Sequence, residues 1–489
     1  MRSESIGCKV LLAAGIFCGS VWPMVLPTRG LEAAPVVCPA NLLPCCHFET
    51  ARARESGELR LGFHLWPLDA RSFLSHAAEL RPGIVRFSVG PFWPDLPAID
   101  VAADLDEVRR YVWEAISPHA EKWRDAAMAQ RRLAGAANQV DELLIIWQPP
   151  LTNLDSVELR RRGSRRTIQR EAIVVFARFY IALIESARRL GFRIDLVEIA
   201  NEPDGAWNMH IPLEHYVELL EALRKESADA KVALPRIAGP GLAFLRSMAS
   251  YLSDRELAGR MLRLLDVVSV HAWDDRVGND ILDEARAVRR LLDGLGWRSP
   301  ILVSEFAPTY PTPEDRSAKR GPDQRGRTQS GDPLVSELPR YAPATVELAL
   351  ALSALGFNPL VYWEFQDPAW GSVSYGLLDT VGRPRPAYGS WAQVSQFLAT
   401  HRIDLAVPEA HLGERIFGLF QGQRLAGMAI LNKERGAYAI QLSETSIAPR
   451  AAGSTGQSGG EQARYCAPPG GGAGVVIQGD STLIVGADR

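Results

Sequence analysis

Two glutamates stand where a pair of carboxyl groups could act together on one bond. Glu202 follows the apolar run Leu196–Ala200, and Glu305 follows the apolar run Ile301–Ser304. Cleavage of a glycosidic bond needs two such groups, one holding a proton for the leaving oxygen and one ionised. If both runs are strands that end at one rim of a narrow barrel, the carboxyl groups should approach to about 5 Å, the separation that favours retention of anomeric configuration.

Other polar and aromatic side chains also follow apolar runs. They are Arg86, Asn201, His271, Trp273 and Trp363. Each has an ordinary structural interpretation by itself, such as a salt-bridge partner, a turn residue, a core histidine or core packing. Several independent strands that place such side chains at the same end are typical of a catalytic rim.

The elements that would position these residues alternate between strand and helix. Helix-period stretches, including Ile168–Leu190, Leu213–Glu226, Ile281–Leu295 and Ala342–Leu355, separate short β-branched runs. Eight strands joined by helices predict an α/β fold, the (β/α)8 TIM barrel. The eight predicted strands are Leu59–Leu65, Ile84–Val89, Leu143–Trp147, Leu196–Ala200, Arg236–Gly239, Val267–Val270, Ile301–Ser304 and Leu360–Trp363.

After about Trp391 the pattern changes to short alternating segments. They are Arg415–Phe420, Leu425–Leu431, Tyr438–Leu442 and Leu483–Val485, and they predict a small β-sandwich. The 489 residues exceed what one core usually absorbs, which also favours a second domain. We therefore expect a signal peptide over 1–34, a cysteine-containing segment over 35–57, the catalytic barrel over 58–395 and the accessory sandwich over 396–489.

Two segments resemble a known group of enzymes. Val197-Glu198-Ile199-Ala200-Asn201-Glu202-Pro203 is similar to the fourth-strand motif of the clan A glycoside hydrolases, and Leu302-Val303-Ser304-Glu305-Phe306 is similar to their seventh-strand nucleophile segment. The resemblance covers roughly residues 58 to 395 and is closest to families 39, 79 and 5. It implies a retaining glycosidase that acts on an oligosaccharide, polysaccharide or other glycoside.

Carried over to this sequence, the resemblance implies that Glu202 is the general acid/base and Glu305 the nucleophile. Asn201 would hydrogen-bond the 2-hydroxyl of the sugar, a contact that tightens in the transition state. Arg86 would pair with Glu305, lower its pKa and hold it ionised.

The resemblance also implies that Trp363 forms an apolar floor for the sugar and that His271 is an orienting donor near both carboxyl groups. Trp273 stands where related barrels often carry a tyrosine that hydrogen-bonds the nucleophile. Tyr310 and Tyr362 are the candidates to replace that hydroxyl.

Further acids lie near the same strand ends. They are Glu198, Asp204, Asp274, Asp275, Glu364 and Asp367. We expect Glu198 to lie deeper in the barrel or between strand and helix, and Glu364 to face outward because Trp363 is the better inward candidate. Asp204 and the Asp274–Asp275 pair could bind a substrate hydroxyl or calcium, but no metal-ligand spacing supports a metal site, and no cofactor is predicted.

The ends of the chain indicate export. An interrupted apolar stretch after Arg2 predicts a cleaved secretory signal, with an uncleaved anchor as the alternative, and hence a secreted or periplasmic protein. Cys38, Cys45, Cys46 and Cys466 would remain, so a disulfide that ties the two ends together is a hypothesis. A net charge of −3 gives no reason to bind nucleic acid or an anionic membrane.

Two segments leave the substrate open. The long loops 148–166 and 308–341 would both lie over the catalytic rim, as walls of a cleft or as insertions. The basic run 160–166 is expected to be a solvated surface, but it would favour an anionic substrate if it faced the cleft.

Two other functions compete with the glycosidase. One is a non-catalytic carbohydrate-binding protein on a degenerate barrel. The presence of both glutamates argues against it, and the Trp273 departure keeps it open. The other is a lyase or a metal-dependent hydrolase, which would need a lysine or a His/Asp cluster at a strand end. His64 and His271 look isolated from further ligands in the sequence, and this disfavours the metal-dependent alternative.

Overall fold

The structure is a computed structural model, and it describes the strands and helices whose bounds are given below. The structure describes residues 46–47, 60–66, 76, 79–80, 82–89, 99–135, 141–146, 166–168, 170–204, 209–274, 281–308, 341–367, 375–385, 387–389, 391–392, 402–406, 414–421, 424–432, 436–441, 464–465 and 482–485. The predicted signal segment, Tyr310 and nearly all of the two long loops with their basic run lie outside these residues.

Eight parallel strands form a closed barrel, as predicted. Each strand pairs with the one that follows it around the ring, and the eighth pairs with the first. The strands are β1 (Leu61–Leu65), β2 (Ile84–Val89), β3 (Asp141–Ile146), β4 (Leu196–Glu198), β5 (Arg236–Leu242), β6 (Val267–Asp274), β7 (Ile301–Pro308) and β8 (Phe357–Tyr362). Every strand overlaps a predicted run.

Helices connect the strands and cover the outside of the ring. Those with described bounds are α1 (Leu105–Ile116), α2 (Ala120–Gly135), α3 (Ile173–Arg189), α4 (Leu213–Asp229), α5 (Ser247–Tyr251), α6 (Arg255–Leu264), α7 (Ile281–Gly294) and α8 (Tyr341–Ala354). This α/β arrangement is the TIM-barrel type that the alternating pattern predicts.

Helix α1 shows how the sequence specifies an outer element. Its buried side chains include Val108, Val112 and Ile116, which recur at helical spacing and form one apolar face. Asp104 accepts a hydrogen bond from the amide of Glu107, whose side chain in turn accepts from the amide of Asp104. This capping box fixes where the helix begins.

Two β-bulges interrupt the ladders on either side of β6. Val303 pairs with Val270 but Glu305 pairs with His271, so Ser304 is the extra residue on β7. On β5 the extra residue is Gly241, which has φ +58° and lies between the pairs Pro240–Ser269 and Leu242–Val270. Bulges of this kind redirect side chains, and they are frequent next to active sites.

A second compact unit contains residues 1–54 and 400–489, and the barrel unit contains residues 55–399. The second unit has an antiparallel sheet of five strands in chain order, β9 (Arg402–Ala406), β10 (Glu414–Gln421), β11 (Arg424–Asn432), β12 (Gly436–Gln441) and β13 (Thr482–Val485). The predicted strands all fall in this sheet, while the second sheet that a sandwich needs stays a prediction. Cys46–His47 also pairs with Arg464–Tyr465, a two-stranded contact within this unit.

Among the described residues, no helix is both long enough and apolar enough to span a membrane.

Candidate active site

The turn after β4 carries Asn201 and Glu202 and has an unusual backbone conformation. Ala200 has φ 65° and Glu202 has φ 52°, both in the left-handed region that non-glycine residues rarely adopt. Two buried tyrosines support the turn from α3 and α4. The hydroxyl of Tyr180 accepts from the amide of Ala200 at 2.7 Å, and that of Tyr216 donates to the carbonyl of Ile199 at 2.8 Å. Backbone strain of this kind concentrates at functional sites, where the surroundings over-determine it.

Glu202 and Glu305 meet across His271, which lies on β6 between them. His271 Nδ1 is 3.0 Å from Glu202 Oε1 and 3.4 Å from Glu305 Oε2. One carboxyl oxygen of each glutamate and one ring nitrogen of the histidine lie within 4.8 Å of one another. All three side chains are buried. The strand ends therefore bring together the three residues that the sequence placed on one rim.

Arg86 on β2 approaches only one of the two glutamates. Its Nη1 donates to Glu305 Oε1, and its Nη2 donates to Asn201 Oδ1 at 2.9 Å. The predicted pairing of Arg86 with Glu305 is therefore present. Because the arginine occupies the carbonyl oxygen of Asn201, the amide nitrogen of that side chain is the group left to donate to a ligand.

Burial and neighbouring charges together shift two pKa values of the site upward. Burial raises the pKa of Glu305, and the opposing effects of Arg86 and His271 do not cancel it. Arg86 does lower the pKa of Glu305, as expected. The expectation that this pKa would be lowered overall is wrong, because burial has the larger effect and raises it. Burial lowers the pKa of His271, but Glu305 and Glu202 outweigh it, so the net pKa of His271 is raised.

Aromatic rings from three strands line the site beside the ionised groups. The ring of Trp363 lies 4.2 Å from that of His64, 5.7 Å from that of Trp66 and 6.3 Å from that of Trp273, centroid to centroid. Trp273 also contacts Tyr375 at 5.5 Å. The guanidinium of Arg86 is 5.7 Å from the Trp363 centroid. This half-buried aromatic surface suits the apolar face of a sugar.

Several expectations about neighbouring residues need correction. Tyr362 cannot replace the missing hydroxyl, because it is buried and donates to the carbonyl of Tyr375 at 2.8 Å. His271 is not isolated, since it contacts both glutamates. Glu364 is buried rather than outward-facing and accepts from Trp66 Nε1 at 2.6 Å.

Two further acids have structural partners. Asp204 accepts from the amide of Ala243 at 2.9 Å, and Asp367 is buried against Arg385. These contacts favour a role in holding the loops after β4 and β8. Asp275 lies outside the described residues, and Asp274 ends β6.

Two inward-facing residues, Glu198 and His64, have surroundings that the sequence did not indicate. Glu198, on β4, is buried and accepts a 2.6 Å hydrogen bond from the hydroxyl of Ser304. His64 on β1 is 1% exposed, and neither ring nitrogen has a hydrogen-bond partner among the described residues. Burial lowers the pKa of His64 well below its ordinary value, and Arg86 adds to the effect, so the ring is neutral. The signal for Glu198 was present, since it stands four residues before Glu202 in the motif.

Glu202, His271 and Glu305 are also the described residues that could offer three ligand atoms to a metal ion. The guanidinium of Arg86 lies directly on Glu305 and disfavours a second cation there. The donor set therefore fits proton transfer and nucleophilic attack better than metal binding.

A glycine-to-alanine pair tests how the bulge on β5 supports the site. A Cβ at Gly241 would lie 2.8 Å from Glu198 Oε1, and its φ of +58° disfavours a side chain. Gly241→Ala is therefore expected to lower the free energy of unfolding by about 1–3 kcal/mol. Urea denaturation followed by circular dichroism measures this change.

Gly259→Ala is the matched control for that experiment. Gly259 lies inside α6, and the nearest atom to its added Cβ is the end of the Arg263 side chain at 3.7 Å. Alanine should raise the free energy of unfolding there by up to about 1 kcal/mol. Equal effects of the two substitutions would contradict the role assigned to Gly241.

Comparisons with known proteins match this geometry at the level of fold. No family model matches the sequence, and a search of curated proteins finds no match. Among solved structures, SrfJ from Salmonella typhimurium is similar with a TM-score of 0.51 and 13% identity, over 79% of this chain and 82% of that one. The family 30 subfamily 8 xylanase Xyn30A from Clostridium acetobutylicum has a TM-score of 0.50 and 12% identity, over 79% and 81%.

A family 39 glycoside hydrolase from Bacteroides cellulosilyticus is similar to the same extent. Its TM-score is 0.51 with 14% identity, over 81% of this chain and 75% of that one. The chain shares its fold with clan A glycoside hydrolases. This confirms the resemblance predicted from the motifs after β4 and in β7, with families 30 and 39 among the similar structures.

Proposed function

We propose that the protein is a retaining glycoside hydrolase that cleaves an O-glycosidic bond of a glycan. The observation that carries this proposal is the meeting of Glu202 and Glu305 across His271, with one oxygen of each carboxyl within 4.8 Å. Carboxyl groups about 5 Å apart suit a double displacement, whereas inverting enzymes need a wider gap to admit a water molecule. Arg86 distinguishes the two groups because it binds Glu305 and not Glu202.

In the first step, Glu305 attacks the anomeric carbon while Glu202 donates its proton to the leaving oxygen. A covalent glycosyl-enzyme forms on Glu305, and the aglycone departs as an alcohol. Arg86 holds Glu305 as the carboxylate before attack. The amide nitrogen of Asn201 donates to the 2-hydroxyl, and this hydrogen bond strengthens as the oxocarbenium forms at the anomeric carbon.

In the second step, Glu202 accepts a proton from water, which attacks the anomeric carbon and releases the sugar from Glu305. Each carboxyl group then returns to its starting state. His271 contacts both glutamates and orients them in both steps. Two displacements at one carbon give net retention.

The test of this function is a panel of aryl glycosides and glycans, with the first-formed product anomer followed by NMR. Release of a sugar with retained configuration supports the proposal, and inversion would contradict the double displacement. Binding of a glycan without turnover across the panel would favour the carbohydrate-binding alternative instead.

Trp363 provides a prediction about substrate binding. Trp363→Ala removes the central ring of the aromatic surface and should reduce kcat/KM by about 10- to 150-fold, from about 1.5–3 kcal/mol of lost apolar contact. Steady-state kinetics with an accepted aryl glycoside measure it. Trp113→Ala is the control, since Trp113 is a half-buried tryptophan on the outer helix α1. A loss of the same size in both variants would contradict a specific role for Trp363.

The proposal extends to the chain ends and the second unit. We propose cleavage of the signal segment 1–34, a secreted or periplasmic location and a β-sandwich accessory domain. The pairing of Cys46–His47 with Arg464–Tyr465 supports a disulfide between the two ends, although Cys45 and Cys466 lie outside the described residues. Peptide mapping of the exported protein without reduction tests the signal cleavage and the disulfide together.

A further inference from the structure

Beneath the two glutamates lies a third carboxyl group that the proposed reaction does not use. Glu198 is fully buried on β4. Its Oε2 is 3.5 Å from Arg86 Nη2, on the opposite arm of the guanidinium from the one that binds Glu305. One arginine therefore faces two buried carboxyl groups at once.

The two β-bulges both converge on Glu198. The bulge at Ser304 allows two consecutive residues to face the interior, so that the serine hydroxyl reaches Glu198 Oε1 at 2.6 Å while Glu305 reaches Arg86. The bulge at Gly241 leaves the carboxyl group room that a Cβ would fill. The backbone carbonyl of the same glycine accepts a hydrogen bond from the amide of Glu202 at 3.0 Å.

We propose that Glu198 is a positioning residue, which shares the Arg86 guanidinium with Glu305 and so sets how strongly that guanidinium binds the nucleophile. The inference rests on the proposed function, in which Glu305 is the nucleophile. It extends that function to a group that does not touch the sugar. Too strong a hold by Arg86 would make Glu305 a weak nucleophile, and a second anion on the same cation moderates the attraction.

Charged and titratable groups from several elements of the barrel surround the carboxyl groups of Glu305 and Glu198. Glu305 faces Arg86 from β2, Glu202 from the turn after β4 and His271 from β6. Glu198 faces Arg86, Ser304, and the phenols of Tyr180 on α3 and Tyr216 on α4. Burial raises the pKa of both phenols, so they stay neutral and the guanidinium is the cation that the two carboxyl groups share.

The test compares a neutral and a charged replacement of Glu198. Glu198→Gln keeps the shape but removes the charge, so Arg86 acts on Glu305 alone and the pKa of Glu305 should fall by about 0.5–1 unit. Glu198→Asp keeps the charge and should leave the pKa of Glu305 closer to its wild-type value. Carbon-13 NMR of protein labelled at glutamate carboxyls measures this titration, and the Glu305 signal is assigned by its loss in Glu305→Gln.

Ser304→Ala tests the same idea without touching a carboxyl group. Without the serine hydroxyl, Glu198 relies more on Arg86, so the pKa of Glu305 should rise. An unchanged or lowered Glu305 titration in Ser304→Ala, or equal shifts in Glu198→Gln and Glu198→Asp, would overturn the proposal. Ser304→Ala keeps the test decisive if Glu198→Gln does not fold.

This experiment separates the inference from the proposed function. The NMR titration uses the free protein, so shifts of the expected sign without turnover of any glycoside would support the role of Glu198 and reject the hydrolase. Turnover of a glycoside together with an unshifted Glu305 titration would support the hydrolase and reject the role of Glu198. Where an aryl glycoside is accepted, the acid limb of kcat/KM should move by the same amount as the NMR midpoint.

Discussion

Glu305→Gln is expected to reduce kcat by about 10⁴- to 10⁶-fold, the scale seen when a catalytic nucleophile is removed. Glutamine keeps the volume and can still accept from Arg86, but it cannot form the glycosyl ester. Steady-state hydrolysis of an accepted aryl glycoside measures the loss. The loss of kcat should be larger than any loss of folded protein could explain, because the side chain retains its position at the end of β7.

Glu185→Gln is the matched control. Glu185 lies on the outer helix α3 and pairs with Arg109, so the same chemical change there should leave kcat within about twofold of wild type. Wild-type turnover by Glu305→Gln would remove Glu305 from the mechanism. Loss of activity in both variants would point to a general effect on folding.

Glu202→Gln is expected to act differently on different leaving groups. A dinitrophenol departs without a proton, so its glycosides should still form the glycosyl-enzyme at close to the wild-type rate, whereas alkyl glycosides should lose about 10²- to 10⁴-fold in kcat/KM. Pre-steady-state kinetics should show a burst of phenol, because the second step still lacks its general base. An equal loss for both classes of substrate would contradict the assignment of Glu202 as the acid/base.

The pH profile gives the same variant a second readout. Because burial raises the pKa of Glu305, the nucleophile ionises only above that raised value, and kcat/KM of the wild type should fall as the pH drops through it. For the dinitrophenyl substrate, Glu202→Gln should keep this acid limb, because Glu305 must still be ionised to attack.

The barrel and its rim could be predicted from the sequence because parallel strands place their carboxyl ends on one side. Glu202, Glu305 and Arg86 all follow β-branched runs, so the closed ring of strands places them at one rim. The contact of His271 with both glutamates was predicted from family resemblance. In the structure it follows from the position of β6 next to β7.

The contact between Glu198 and Ser304 could not be predicted, since it depends on the β-bulge in β7. Simple alternation along β7 would point Ser304 and Glu305 to opposite faces, and only the extra residue in the ladder allows both to face the interior. The residues Glu198 and Ser304 are 106 positions apart, so their hydrogen bond depends on the register of the whole barrel. For the same reason, the sequence did not show that Glu364 is buried against Trp66.

Trapping of the glycosyl-enzyme tests the central claim most directly. A 2-deoxy-2-fluoro glycoside slows the second displacement more than the first, so a sugar ester should accumulate on the protein. We expect mass spectrometry of the peptic digest to place that sugar on Glu305, and the adduct should be absent from Glu305→Gln. A sugar found on a different carboxyl group, while Glu305 stays unmodified, would contradict the assignment of the nucleophile.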